Sequence, residues 1–270
     1  MNPVADTIIF SITDRRGKYP QLAALWAKFL EKLNINNYII YCLDEESFDY
    51  LNAMGVRCKL YQKKPDIEFN KLEGRGAYFN KKYGYISVYK LMIAKELLEQ
   101  GKNIICADTD ALFCRNPLPL INRYLSKYDC LLSVAHRTTA FPRKVSKKLG
   151  FSICTGFFAL RSSQKSLDFI SDLKEALPTY SSLQAAINIY LFPYMGADAI
   201  PVKSFLDLNK GGWKGSTSAF DVKGMAIKLI HKRLVRRTRQ PNTNNYVVHV
   251  TGPVEKVVHR AGVVYKKLYG

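Results

Sequence analysis

Asn103-Ile104-Ile105-Cys106-Ala107-Asp108-Thr109-Asp110 is an apolar run that stops on two carboxylates. Bounded by Gly101 upstream and by acidic turn-forming residues downstream, Asn103 to Ala107 predicts a short buried strand. In an open α/β sheet, ligands gather where strands end at their carboxyl edge. Two carboxylates two residues apart at such a turn can both reach one hard divalent cation. Taken alone, the pair invites a turn or capping role more readily than a metal site.

Working outward, the segment before this strand reads as a helix over 85–100, with Ile86, Tyr89, Ile93 and Leu97 on one face and Gly101 closing it. Residues 63–82 show little periodicity and are expected to be a loop. Closer to the N-terminus, Thr7 to Ile12 is a β-rich run ending in the polar loop Thr13-Asp14-Arg15-Arg16-Gly17. A helix from about Pro20 follows, its apolar face built from Leu22, Leu25, Trp26, Phe29, Leu30 and Leu33. A buried strand at 38–43, a short helix at 46–54 and a strand at 56–61 complete a βαβαβ pattern. That pattern predicts an α/β fold with a parallel sheet. Beyond the carboxylates, a strand is expected near 129–135, then a basic loop and an apolar run over 153–160, helices at 164–177 and 182–192, and a glycine-rich loop over 208–218. The spacing of Val222, Met225, Ala226 and Leu229 predicts a basic amphipathic helix over 221–235. A short strand at 246–250 and a basic tail end the chain. No internal repeat or linker divides it, so residues 1–270 are expected to form a single domain.

The composition agrees with a folded chain. Of 270 residues, 47% are hydrophobic and 12% aromatic, which excludes wholesale disorder. The most apolar stretch, Ala185 to Pro201, is broken by Asn188, Pro193 and Asp198, so an integral membrane protein is not expected. The first six residues lack the charged start and apolar core of a signal peptide. The six cysteines form no CxxC pair and no zinc spacing, and are expected to be buried free thiols in a reducing cytoplasm. The formal charge is +19, from 41 Lys and Arg against 22 Asp and Glu. It is uneven: 130–167 and 222–254 each carry seven Lys/Arg and no acid, and the last sixteen residues add a net three. The remainder is close to neutral.

The carboxylate pair is not isolated. Lys90 precedes it, and Arg115-Asn116-Pro117-Leu118 follows after an apolar stretch. Then come Cys154-Thr155-Gly156-Phe157-Phe158-Ala159-Leu160-Arg161-Ser162-Ser163, Gln184 and Asn188, and His249-Val250-Thr251-Gly252-Pro253-Val254-Glu255-Lys256. Over roughly residues 80–260, and in this order, the series resembles the retaining nucleotide-sugar glycosyltransferases of the GT-A fold. The family 77 type, the nucleotide-diphospho-sugar transferase group, is the best match; families 8 and 32 share part of the pattern.

The resemblance implies a Rossmann-like domain with a mixed, mainly parallel central sheet flanked by helices. Residues 1–129 would form its nucleotide-binding half and 130–270 its acceptor half. It implies that Asp108, Asp110 and His249 hold Mn²⁺ or Mg²⁺, with Asp108 also near the ribose. Thr109, Gly252, Lys256 and Lys90 would contact the nucleotide sugar, and Thr13 and Asp14 would meet base and ribose. Thr13 and Asp14 read equally well as a cap for the following helix. Thr155 and Gly156 would line a sugar pocket, unless the glycine serves a strand bend. Gln184 and Asn188, four apart on one helix face, would stand close to the anomeric carbon. The family carries an Asp-Gln pair there, but this chain has Leu183 in place of the acid. Gln184 is then left as a polar contact and Asp207 as a carboxylate candidate elsewhere.

The implied reaction is transfer of a glycosyl unit from a nucleotide diphosphate sugar, with UDP as default, to an acceptor hydroxyl, with retention. The basic stretches exceed what a diphosphate needs. The expected helix over 221–235, followed by Arg236-Arg237-Thr238-Arg239, suits docking to an anionic membrane surface at the cytoplasmic face. A transferase building lipopolysaccharide, capsule or another lipid-linked glycan would meet its acceptor there; an acidic glycan acceptor fits equally. The rivals are a nucleic-acid-binding protein, which the charge alone would suit but no motif supports, and a catalytically inactive, transferase-like scaffold.

Overall fold

The carboxylate-bearing turn lies where two sheets meet. In the computed structural model, residues 6–67, 77–135, 142–149, 151–180, 182–195, 219–239 and 243–270 are described. The elements in chain order are β1 (Thr7–Thr13), α1 (Tyr19–Lys32), β2 (Tyr38–Cys42), α2 (Glu45–Ala53), β3 (Cys58–Leu60), α3 (Ala77–Glu99), β4 (Asn103–Ala107), β5 (Ala111–Phe113) and α4 (Leu118–Leu125). They continue with β6 (Cys130–Ala135), α5 (Arg143–Leu149), β7 (Ser152–Leu160), α6 (Gln164–Tyr180), α7 (Leu183–Leu191), β8 (Ala219–Val222), β9 (Met225–Leu229), β10 (Val235–Thr238), β11 (Val247–Val250) and α8 (Val254–Tyr269).

The larger sheet has the order β3-β2-β1-β4-β7-β6-β9-β8 and the smaller one β10-β11-β5. β1, β2, β3 and β4 run parallel, as the βαβαβ pattern requires, and β9 runs parallel to β6. β7 lies antiparallel between β4 and β6. Alternation along the strands splits the core across the sheet. Phe10, Ile104 and Cys106 face one hydrophobic cluster with residues of α3, α6 and α7. Ile9, Ile105 and Ala107 face the other, with α1 and α8. Strands buried on both faces explain the unbroken apolar runs.

Three expectations are corrected. α3 begins at Ala77, so part of the stretch read as loop is helical. Residues 221–235 are not a helix: β8 and β9 form an antiparallel hairpin, with Lys223 (φ 51°) and Gly224 (φ 78°) at its turn. Apolar residues at 222, 225, 226 and 229 satisfy the helical period. Two successive positive φ angles instead suit a primed two-residue turn, which a helix cannot contain. The membrane-docking argument that rested on this helix falls with it. The basic tail is the helix α8, whose Val257, Ala261 and Val264 are buried. Phe29 of α1 meets Tyr265 and Tyr269 of α8 edge to face. The expected loop over 208–218, and Asp207, lie outside the described residues. Among the described residues no helix is long and apolar enough to cross a membrane. All six cysteines are free, and all but the half-buried Cys58 are buried.

Candidate active site

β4 leaves the large sheet at Ala107. The Asp108 amide donates to Gly156 O on β7 (2.9 Å), and the Ala111 amide closes back on Asp108 O (2.8 Å). Asp108-Thr109-Asp110-Ala111 is therefore a tight turn with Asp at its first position, a place that residue favours. The turn feeds β5, which pairs antiparallel with β11 so that Ala111 stands opposite His249. The Val250 amide donates to Asp110 O at 2.8 Å. This register places His249 beside Asp110, although 139 positions separate them in sequence. The buried Trp26 of α1 holds the same strand, its Nε1–H donating to Ala111 O (3.0 Å).

Asp108, Asp110 and His249 offer three ligand atoms within 4.8 Å of one another. His249 Nε2 stands 3.0 Å from Asp110 Oδ1. That oxygen is buried yet receives no hydrogen bond among the described residues. Two such atoms, close but not aimed at each other, suit a shared cation. Neighbouring ligands of an octahedral ion at about 2.1 Å lie about 3.0 Å apart. Carboxylate oxygens with one imidazole fit a hard or borderline divalent ion. Burial opposes a charge on His249, but the Asp110 carboxylate and Cys154 outweigh it and hold the ring well above its ordinary range.

The ring fits because of its neighbours on β7. A Cβ on Gly156 would fall 2.1 Å from His249 Cε1. The glycine thus makes room for the histidine, which is a different role from lining a sugar pocket. β7 reaches this position through an irregularity. Leu132 pairs with Phe158 but Ser133 with Cys154, so Thr155, Gly156 and Phe157 bulge out of the pairing with β6. Thr155 is buried, and its carbonyl accepts from Lys90 Nζ at 3.4 Å. Lys90, buried on α3, also pairs with Asp108. Burial would lower its pKa, but the Asp108 charge more than compensates and the ammonium is held well above its usual range.

The other candidates divide. Thr13 is buried at the end of β1, next to β4, with a hydroxyl that finds no partner among the described residues. Asp14 pairs with Arg16 and accepts that residue's amide (3.1 Å), while α1 has Lys18 at its cap with no side-chain bond. Asp14 is therefore not the cap of that helix. Thr109 is buried inside the turn. Gly252 adopts φ 146°, which favours glycine, and Lys256 is exposed in the first turn of α8. Gln184 is half-buried on α7.

Asn188 is corrected. Its side chain is fully buried; Oδ1 accepts from the Ile153 amide (2.8 Å), and Nδ2 donates to Ile153 O (2.8 Å) and Gln184 O (2.7 Å). An amide spent on backbone this way braces the start of β7 rather than meeting a sugar. Leu183 packs into the core with its amide on Ser87 Oγ (2.9 Å).

Two residues escaped the sequence reading. Cys154 lies behind the histidine, its Sγ 3.4 Å from His249 Nδ1. Burial pushes this thiol up, yet the neighbouring imidazole wins and brings it down to about 7. Its period-2 relation to Gly156 was the available signal, since both project to the same side of β7. Arg237 stands opposite His249 in the β10–β11 register and is exposed.

Over 250 residues the chain is 23% identical to a UDP-galactose:fucoside alpha-3-galactosyltransferase of Dictyostelium discoideum, covering 81% of this chain and 34% of that protein. It is 24% identical over 163 residues to a beta-arabinofuranosyltransferase of Arabidopsis thaliana, covering 60% and 28%. The chain thus spans about a third of the length of these curated relatives. Among solved structures, the galactosyltransferase LgtC, in complex with donor and acceptor sugar analogues, matches with a TM-score of 0.53 at 14% identity, over 98% of this chain and 96% of that one. Mouse xyloside xylosyltransferase 1 matches with a TM-score of 0.50 at 12% identity, over 93% and 99%. At these identities the structural matches speak for a shared fold, that of the GT-A glycosyltransferases. The profile of the nucleotide-diphospho-sugar transferases matches residues 33–256. With most of its length matched, the chain belongs to the nucleotide-diphospho-sugar transferase family.

Proposed function

We propose that this protein is a divalent-cation-dependent glycosyltransferase. It would move a sugar from a nucleotide diphosphate sugar to a hydroxyl of a glycan or glycolipid, with retention at the anomeric carbon as in the family it resembles. The observation that carries the reading is the convergence of Asp108, Asp110 and His249 at the edge where β4 ends. Bound there, Mn²⁺ or Mg²⁺ would supply charge neutralisation to the departing diphosphate. Asp108, Asp110 and His249 would hold it.

The chain's own groups do the rest. Lys90 fixes the Asp108 carboxylate and adds a buried positive charge beneath the donor. Lys256 on α8 and Gly252 just before that helix would meet the diphosphate, and Thr13 and Asp14 the nucleoside from the end of β1. Gln184 and Thr155 would contact the sugar. The base would be uridine, as the name of the Dictyostelium discoideum UDP-galactose:fucoside alpha-3-galactosyltransferase gives for that relative. The nucleotide would then sit mainly on residues 1–129 and the acceptor on 130–270. The basic second half suits an acidic acceptor or an anionic surface near the site. No residue pattern among those described favours the nucleic-acid rival.

A thermal-shift screen of nucleotide sugars with and without Mn²⁺ tests the reading. A ligand of the folded state raises the midpoint with its saturation. A UDP-sugar should stabilise the protein only when Mn²⁺ is present, and Asp110→Asn should abolish the gain. Cation-independent stabilisation that survives Asp110→Asn would refute the proposal.

A further inference from the structure

We propose that Cys154 is a positioning residue for the cation site: its sulfur accepts the Nδ1–H of His249 and so leaves the Nε2 lone pair facing Asp108 and Asp110. This rests on the cation-site reading above, and it assigns a task to a residue that the site's motifs do not include.

The geometry is specific. Cys154 is 1% exposed and His249 6%, so neither side chain can turn to water for a partner. Sγ lies 3.4 Å from Nδ1, an ordinary separation for a bond to sulfur. Among the described residues it is the partner the structure gives that nitrogen. On the other side of the ring, Nε2 is 3.0 Å from Asp110 Oδ1 without the alignment of a hydrogen bond to it. Nδ1 is thus the nitrogen tied to a protein partner, and Nε2 the one a cation would take once it carries no proton.

The ring cannot readily adopt another pose. It fills the space where a Cβ at 156 would sit 2.1 Å from Cε1. Cys154 and Gly156 come from the same face of the bulged strand, so one irregularity in β7 sets both the room for the ring and its anchor. Asn188 holds the strand from behind through Ile153, the residue next to Cys154.

A metal-bound histidine needs its second nitrogen tied to an acceptor, usually a carboxylate or carbonyl, because this fixes tautomer and orientation. A thiol can take that place, since sulfur both accepts and donates weakly. In the opposite polarity, S–H donating to Nδ1, the proton would sit on Nε2 and block ligation. The cation therefore selects the arrangement in which Cys154 accepts.

The experiment is a Mn²⁺ titration, followed by electron paramagnetic resonance, of wild type, Cys154→Ala and Cys154→Ser without nucleotide. Removing such an outer partner typically costs 10- to 100-fold in affinity. Cys154→Ala should lose affinity in that range, and Cys154→Ser, which keeps an acceptor, should recover most of it. A structural role in packing alone would not distinguish serine from alanine in this direction. A second readout needs no variant. In Mg²⁺-loaded wild type labelled with ¹⁵N-histidine, the His249 proton should reside on Nδ1. Cys154→Ala and wild type binding Mn²⁺ equally, or a proton found on Nε2, overturns the assignment of Cys154. Wild type that binds no Mn²⁺ overturns the cation-site reading itself.

Discussion

Gly156 and His249 share one volume: the histidine ring occupies the space in which a side chain at position 156 would begin, 2.1 Å from Cε1. The obstructing atoms are those of a buried ring, not the loose end of a flexible chain. Gly156→Ala must therefore displace His249 or bend β7. Overpacking of this kind costs about 1–3 kcal/mol, and the displaced ligand should weaken Mn²⁺ binding at least tenfold. Thermal unfolding together with Mn²⁺ titration checks this. Wild-type cation affinity in Gly156→Ala would show that the ring has another place to go.

Lys90 and Asp108 form a lopsided pair. The lysine side chain is 9% exposed, while the aspartate side chain is 34% exposed. Removing the buried partner's counter-charge is the costly direction, on the order of 3–5 kcal/mol when the stranded charge is fully buried. Asp108→Asn strands Lys90 and should cost about 3 kcal/mol. Lys90→Met leaves only a partly hydrated carboxylate and should cost less. The double variant should recover much of the loss, and a double-mutant cycle by urea unfolding measures it. Equal costs for both single variants would contradict this picture of the pair.

The hairpin that replaces the expected helix is tied down by a carboxylate. Asp172 of α6 accepts from Tyr190 Oη (2.6 Å) and pairs with Lys223 at the hairpin turn (2.9 Å). The Tyr190 bond and then the Lys223 charge hold Asp172 below the usual carboxylate range, against the opposing effect of burial. A lowered folded-state pKa means the contribution is complete above the ordinary carboxylate value and lost as pH falls through the lowered one. Asp172→Asn should then cost on the order of 1 kcal/mol at neutral pH, a partly exposed pair being worth no more. The gap between the two proteins should close toward pH 3. A difference in unfolding free energy that stays constant down to that pH would sink the assignment.

What the sequence made legible follows the range of the interactions. The β4 strand, its carboxylate turn and the βαβαβ start depend on neighbours a few residues apart, and periodicity carries that information. Val222, Met225, Ala226 and Leu229 fit the helical period, yet in the hairpin Val222 pairs with Met225 while Ala226 pairs with Asp221 on the opposite face. The deciding fact was backbone conformation at Lys223 and Gly224. Gly156 and Asn188 take tasks that local sequence does not disclose. Each is defined by a partner far away in the chain: His249 for the glycine, the Ile153 backbone for the asparagine. His249 itself was reachable only by resemblance, since the β5–β11 register that brings it to Asp110 leaves no local trace.

Arg237 gives the last prediction, because charge near a cation site acts with opposite signs on its two ligands. It stands opposite His249 across β10 and β11, on the exposed edge strand of the small sheet. A guanidinium there repels a divalent cation and attracts a diphosphate. Arg237→Ala should therefore leave Mn²⁺ affinity without nucleotide unchanged or slightly higher. In the same protein, the affinity for UDP with Mn²⁺ should fall about tenfold, the worth of roughly 1.4 kcal/mol. Raising the salt concentration should narrow the difference between variant and wild type, since an exposed charge is screened. The two titrations, run side by side at low and moderate salt, separate this role from a structural one. Damage to the strand would weaken both ligands together, whereas an electrostatic contact at the diphosphate weakens only one.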